Sequence, residues 1–163
     1  MLFSRSLSKL AFMYLFETSQ NVKASLEDVF DFFSRAENLQ KLTPPFLNFQ
    51  ILTPLPIKMA PGQLIDYKIK IHGIPVTWRT KITEWQPLEH FVDNQIKGPF
   101  KLWNHTHKFT SLGAHETLME DTVKYILPFG ILGRLAEPFF VKPDIKKIFE
   151  YRRVVIEDFF RKK

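Results

Sequence analysis

The amino-acid sequence predicts an α+β fold: a meander of antiparallel strands closed by one long C-terminal helix, with two short helices between the first and second strands. Three observations carry this reading. Apolar and polar residues alternate with a two-residue period through most of Met13 to Tyr125. The alternation is cleanest in Gln63 to His72, where Ile65, Tyr67, Ile69 and Ile71 share one face and Asp66, Lys68 and Lys70 the other. From Pro143 the period changes, and Ile145, Ile148, Phe149, Val155, Ile156, Phe159 and Phe160 recur at three- and four-residue spacings.

Taken in order, residues 1–12 (MLFSRSLSKLAF) have Arg5, Lys9 and several serines but no acid. They have a targeting-like composition without a long apolar run or a small-residue cleavage site. Residues 1–12 are therefore expected to be an extension, disordered or preceding a true start at Met13, and residues 13–163 a single domain. Met13 to Val22 alternates as a first strand. Ser25 caps a helix with Asp28 three residues on and Val29, Phe30, Phe32 and Phe33 on its buried side. A second short helix, Ala36 to Leu42, is stopped by Thr43-Pro44-Pro45.

Further strands are expected at Asn48 to Thr53, Gln63 to His72, Val76 to Gln86 and His90 to Ile96, separated by Gly- and Pro-marked turns. A long hairpin over Gly98 to Tyr125 follows, turning at Ser111 to His115. One face of that hairpin has Trp103, His105, His107 and Phe109, then Met119, Asp121, Val123 and Tyr125. An aromatic inner face that also holds two histidines and an aspartate is unlike a plain core, since buried polar groups require partners. Beyond Tyr125, ILPFGILGRLAEPFF reads as an apolar loop leading to the terminal helix. Phe129, Ile131 and Leu132 would be exposed there unless the loop covers a cavity, with Gly130 and Gly133 as hinges of a lid, or unless the tip docks on a membrane.

The composition narrows the function. No cysteine is present among 163 residues, which excludes disulfides and thiolate metal sites and leaves a cytoplasmic protein as the expectation. A formal charge of +6 comes without a basic run, a zinc spacing or an RNA-binding aromatic motif. A solvated basic surface with no nucleic-acid partner is expected, and loose contact with anionic lipid stays open. No window approaches the ~18 apolar residues of a membrane span. The 17 phenylalanines offer wide apolar surface, suited to a large core or a pocket wall.

Arg152 lies three residues from both Phe149 and Val155, on the apolar stripe of the last helix. A guanidinium placed there needs carboxylate or carbonyl partners, and Asp93 and Asp121 are the inward candidates. His105 and His107, two apart on a strand, point the same way about 7 Å apart. A third ligand from Asp93 or Asp121 would resemble some metal sites, but a full metal signature has more ligands at firmer spacing, so no metal and no cofactor is expected.

LEDVFDFFSRAENLQKLTPPF, GIPVTWRTKITEW, HFVDNQIKGPFKLWNHTHKF, MEDTVKY, LPFGILGRLA and IFEYRR resemble a bacterial ligand-binding group of the START/Bet v 1-like superfamily, also called SRPBCC. The likeness runs from Met13 onward. Some members of that group bear a "cell division inhibitor" label, for which nothing in these residues argues. The resemblance implies the helix-grip fold, a curved sheet wrapped around the last helix and enclosing a cavity for a hydrophobic or amphipathic ligand. It implies no metal, and relatives in the superfamily include polyketide cyclases.

Under that fold, Tyr67, Trp78, Ile82, Phe91 and Trp103 line the cavity by alternation. Asp93, Gln95, His105, His107, Met119, Asp121, Phe149 and Arg152 complete the candidate binding set. The polar members read equally as a network tying sheet to helix or as a patch orienting a ligand. Three functions follow: binding of an amphipathic small molecule, a cyclase or dehydratase using His105 or His107 as general base with Asp121 or Asp93 orienting it, or a protein-interaction module with a filled interior.

Overall fold

The alternating stretches pair into a seven-stranded, wholly antiparallel sheet in the order β1-β7-β6-β5-β4-β3-β2. The computed structural model describes residues 12–162, so nearly all of the expected extension lies outside the described residues. The strands are β1 (Met13–Val22), β2 (Gln50–Ile51), β3 (Leu64–Ile71), β4 (Ile74–Gln86), β5 (His90–Lys97), β6 (Leu102–Gly113) and β7 (Glu116–Ile126). β1 and β2 occupy opposite edges, so the segment between them must carry the chain across the sheet. That segment contains α1 (Leu26–Phe33), a 3₁₀ turn (Ala36–Asn38), α2 (Leu39–Leu42) and a second 3₁₀ turn (Pro45–Leu47). Ser25 caps α1 as expected, its hydroxyl accepting from the Asp28 amide.

Two expected boundaries moved, each for a local reason. β2 is shorter than Asn48 to Thr53. Asn48 adopts φ 44° to close the preceding turn, and the Leu52 and Thr53 amides both turn onto the Asp66 carbonyl instead of a ladder. The long C-terminal helix begins earlier than Pro143. α3 (Ile131–Ala136), a π-helical turn (Glu137–Val141) and α4 (Lys142–Arg161) form one helix of 31 residues, so most of the expected apolar loop is helical. Pro143 has no N–H for the Phe139 carbonyl, and the Lys142 amide reaches back to Glu137, shifting the ladder by one residue. Gly133 lies inside α3, and a Cβ there would collide with the Pro128 carbonyl oxygen where loop and helix meet.

The sheet is curved, and the β4–β5 pairing shows one cause: it slips between Arg79 and Thr80, with Ile96 extra on β5, and between Ile82 and Glu84, with Thr83 extra on β4. Each extra residue bends its strand and increases the local twist. The concave side is filled unevenly. At one end Val29, Phe30, Phe32 and Phe33 of α1 pack against Phe91, Phe109 and Met119 of the sheet and Ile156 and Phe160 of α4. α1 does not extend to the other end, where space remains between sheet and α4. There, Leu47, Ile69 and Trp78 form one cluster, and Val123, Tyr125, Ile145 and Phe149 another. Tyr125 hydroxyl donates to Glu137 at 2.8 Å, fixing the π-helical turn to the sheet.

Candidate functional site

A pocket of about 390 Å³ occupies the unfilled end, between the sheet and α4. Its size lies within the range of ~300–1,000 Å³ usual for small-molecule sites. Tyr67, Trp78, Trp103 and Phe149 are in its wall as expected, and so are Asp93, His105, His107 and Arg152. Tyr67 and Trp78 stack at 5.9 Å between ring centres, and Trp103 meets Trp78 edge-on at 5.4 Å. At the mouth, His72 and Asp144 pair at 2.8 Å, joining the end of β3 to the start of α4.

Five residues of the expected binding set lie elsewhere. Ile82 packs with Ile57 and Ile65, while Phe91 and Met119 belong to the filled end under α1. All three point inward, as the alternation requires, but inward includes the plugged half of the concave face. Gln95 exchanges two hydrogen bonds with the backbone of Phe100 and so shapes the Gly98-Pro99 turn. Asp121 sits behind the histidines, at a small cleft beside Arg152 and Met119. Sequence reasoning missed Leu47, Phe49, Phe100, Ile145 and Ile148 as wall residues. Ile145 and Ile148 were visible as part of the helix stripe; the others come from turns, where no periodicity marks the face.

The polar groups form one connected cluster. His105 and His107 project from β6 with ring centres only 3.7 Å apart, closer than the ideal strand repeat. Register brings both carboxylates beside the rings, Asp93 of β5 opposite His105 and Asp121 of β7 opposite His107, and the hydrogen bonds run diagonally between them. His105 Nε2 donates to Asp121 Oδ1 at 2.7 Å, and His107 Nε2 to Asp93 Oδ2 at 2.9 Å. His107 Nδ1 also approaches Asp121 Oδ1 at 2.9 Å, but is not aligned for a hydrogen bond. Arg152 Nη1 lies 3.7 Å from Asp121 Oδ1, and its guanidinium covers the Phe149 ring at 5.2 Å. The carboxylate expected for Arg152 is therefore Asp121.

These distances separate the two imidazoles electrostatically. Burial and the neighbouring His107 hold His105 below its ordinary value. Burial opposes the charge of His107 too, but the Asp121 and Asp93 carboxylates outweigh it and hold His107 above the ordinary value. Burial would raise Asp93 and Asp121, yet the adjoining imidazoles keep both below the usual carboxylate range. With His105 neutral and His107 protonated, the two carboxylates are balanced by His107 and Arg152. A buried cluster of zero net charge avoids the cost of an uncompensated ion.

A curved antiparallel sheet gripping a long helix, with a pocket between them, defines the helix-grip class of the START/Bet v 1-like superfamily. The family model described as "Polyketide cyclase / dehydrase and lipid transport" matches residues 22–144, and the chain belongs to that family. No curated protein matches the sequence significantly. Among solved structures, the chain is similar to the ZhuI aromatase/cyclase from Streptomyces sp. R1128, at 15% identity and a TM-score of 0.73 over 92% of this chain and 94% of that one. It is similar to norcoclaurine synthase from Thalictrum flavum in complex with dopamine and hydroxybenzaldehyde, at 14% identity and TM-score 0.64 over 96% and 94% of the two chains. A START superfamily protein from Mycobacterium smegmatis aligns at 15% identity and TM-score 0.63 over 91% and 97%. At these identities the likeness establishes the fold. Among the described residues no helix is long and apolar enough to cross a membrane.

Proposed function

We propose that the protein binds a hydrophobic or amphipathic small molecule between the sheet and α4, in the cytoplasm. The observation that supports this most is the pocket itself: aromatic walls, with His107, Asp93 and Arg152 gathered at its inner end. Such a site favours a ligand with a flat apolar body and one polar end. A filled interior, as an interaction module requires, fits the plugged half of the concave face but not this half. The cysteine-free composition supports the cytoplasm. The test is native mass spectrometry of the purified protein, with extraction and identification of any passenger. Apo protein that also fails to take up hydrophobic probes would sink the proposal.

A second reading has its own observation. His105 is held neutral at the pocket wall, its Nε2 on Asp121 and its Nδ1 without a proton, which is the geometry of a positioned general base and its orienting group. The family description, which includes cyclases and dehydrases, supports the same reading. A His105→Ala variant that folds normally and turns over a candidate substrate at the full rate would remove it.

The pocket mouth carries a third feature. Phe129, Ile131, Leu132 and Phe139 are 72–82% exposed, and Phe129 also lines the pocket. On a chain of formal charge +6 this apolar rim supports transient contact with an anionic membrane surface during loading or release of the ligand.

A further inference from the structure

Two atoms in the cluster face one another without a proton between them. His105 donates through Nε2 to Asp121 at 2.7 Å, so its Nδ1 in the neutral ring has a bare lone pair. The nearest charged atom to that lone pair is Asp93 Oδ2, 3.6 Å away, which is also an acceptor. Asp93 Oδ2 in turn lies 2.9 Å from His107 Nε2. A nitrogen lone pair and a carboxylate oxygen this close in a buried site need a shared partner, either a donor or a cation.

We infer that Asp93, His105 and His107 form a binding site for a first-row divalent metal ion of the zinc type, open on its fourth side to the pocket. One donor atom from each of the three residues falls within 4.8 Å of the others. A tetrahedral ion with bonds of about 2.0–2.2 Å needs donors about 3.4 Å apart, and the 3.6 and 2.9 Å separations lie on either side of that value. The two imidazole nitrogens lie within 4.8 Å of one another, and rotation of the rings together with Asp93, the least buried of the three, adjusts the set.

The surroundings fit the same assignment. A ligating histidine ordinarily gives its other ring N–H to a carboxylate, which fixes the tautomer and raises ligand basicity. Asp121 takes this part for His105 and lies 2.9 Å from the second nitrogen of His107, a buried atom that has no aligned hydrogen-bond partner. All three ligands are pocket residues, so the position left to water or a ligand oxygen opens into the pocket, as at three-ligand catalytic sites. Arg152 is the opposing feature. With both imidazoles neutral, the carboxylates and the guanidinium sum to −1, and a divalent ion brings the site to +1. An anionic or enolate-like ligand oxygen in the open position restores neutrality. The metal site stands on the cluster alone and does not depend on uptake of an apolar ligand.

The experiment uses the full-length protein treated with chelator and exchanged into metal-free buffer. Co²⁺ is added and its visible ligand-field absorption followed, and Zn²⁺ affinity is measured by competition with a chromophoric chelator. The expected result is one ion per chain, with the absorption of a four- or five-coordinate N/O site. Asp93→Asn, which preserves size, should weaken Zn²⁺ by more than about 100-fold, and Asp121→Asn by about 10–100-fold. The double variant His90→Ala/His115→Ala, which removes two imidazoles outside the pocket, should bind as the parent does. Absence of saturable binding to the parent overturns the assignment. So does parental affinity in an Asp93→Asn variant whose circular dichroism and melting temperature are unchanged, or loss of binding in the His90→Ala/His115→Ala variant. Failure here leaves passenger identification and probe binding untouched, so the two proposals fail separately.

Discussion

His105 Nε2 and Asp121 Oδ1 are 2.7 Å apart across neighbouring strands, and that bond joins the pocket wall to the layer behind it. Asp121 is also within 3.7 Å of Arg152 on α4, so a single carboxylate connects β6, β7 and the gripped helix. Removing one partner of a buried ionic cluster leaves the others uncompensated. Asp121→Ala is expected to destabilise the protein by about 3–5 kcal/mol. Urea denaturation of the purified variant measures this, and a loss below about 1 kcal/mol would mean that the cluster contributes little to holding sheet and helix together.

The two imidazoles should titrate apart in the metal-free protein. His105 is held below 6.5 and His107 above it. For His105, the unfolded chain takes up a proton below about 6.5 that the folded chain refuses, so its contribution to stability declines on acidification. For His107, the contribution is complete below about 6.5 and is lost as pH rises through the folded value. Imidazole ¹⁵N spectra across this range should show His105 neutral while His107 remains protonated. Stability profiles of His105→Gln and His107→Gln should lose the acid-side and alkaline-side slopes respectively. Coincident titration of both rings would contradict the assignment.

Pocket volume should govern binding. Ile148 lines the pocket from α4, and Ile148→Trp places a larger ring in the space. Affinity for a hydrophobic fluorescent probe is expected to fall by at least about tenfold, equivalent to roughly 1.4 kcal/mol. Trp103→Ala, which removes the edge-on partner of Trp78, is expected to weaken the probe similarly. Unchanged affinity in both variants, with folding intact, would move the ligand site out of this pocket.

The apolar rim should matter only for lipid. Leu132 and Phe139 are exposed and neither lines the pocket. Leu132→Asp/Phe139→Asp should lower co-sedimentation with phosphatidylserine-containing vesicles by roughly tenfold or more, given about 1.5 kcal/mol for each buried side chain. Probe binding in solution should be unaffected. Equal sedimentation of parent and variant would exclude a docking role for this rim.

Period and capping in the sequence determined the elements, because both are local. The two-residue alternation marks each strand, Ser25 and Asp28 mark the start of α1, and the stripe through Ile145, Phe149, Ile156 and Phe160 marks the gripped helix. Alternation also turned His105, His107 and Asp121 inward, and the apolar stripe carried Arg152 with it. Local period cannot say which inward residues meet empty space. That depended on α1, whose phenylalanines plug one half of the concave face and bury Phe91 and Met119, leaving Trp78 and Trp103 on the open half. That Asp93 and Asp121 meet the two histidines at all depended on strand register, a long-range property set by pairing between β5, β6 and β7. The early start of the last helix depended on a π-helical turn fixed by Tyr125 and Glu137, twelve residues apart, which overrode what the prolines signal locally.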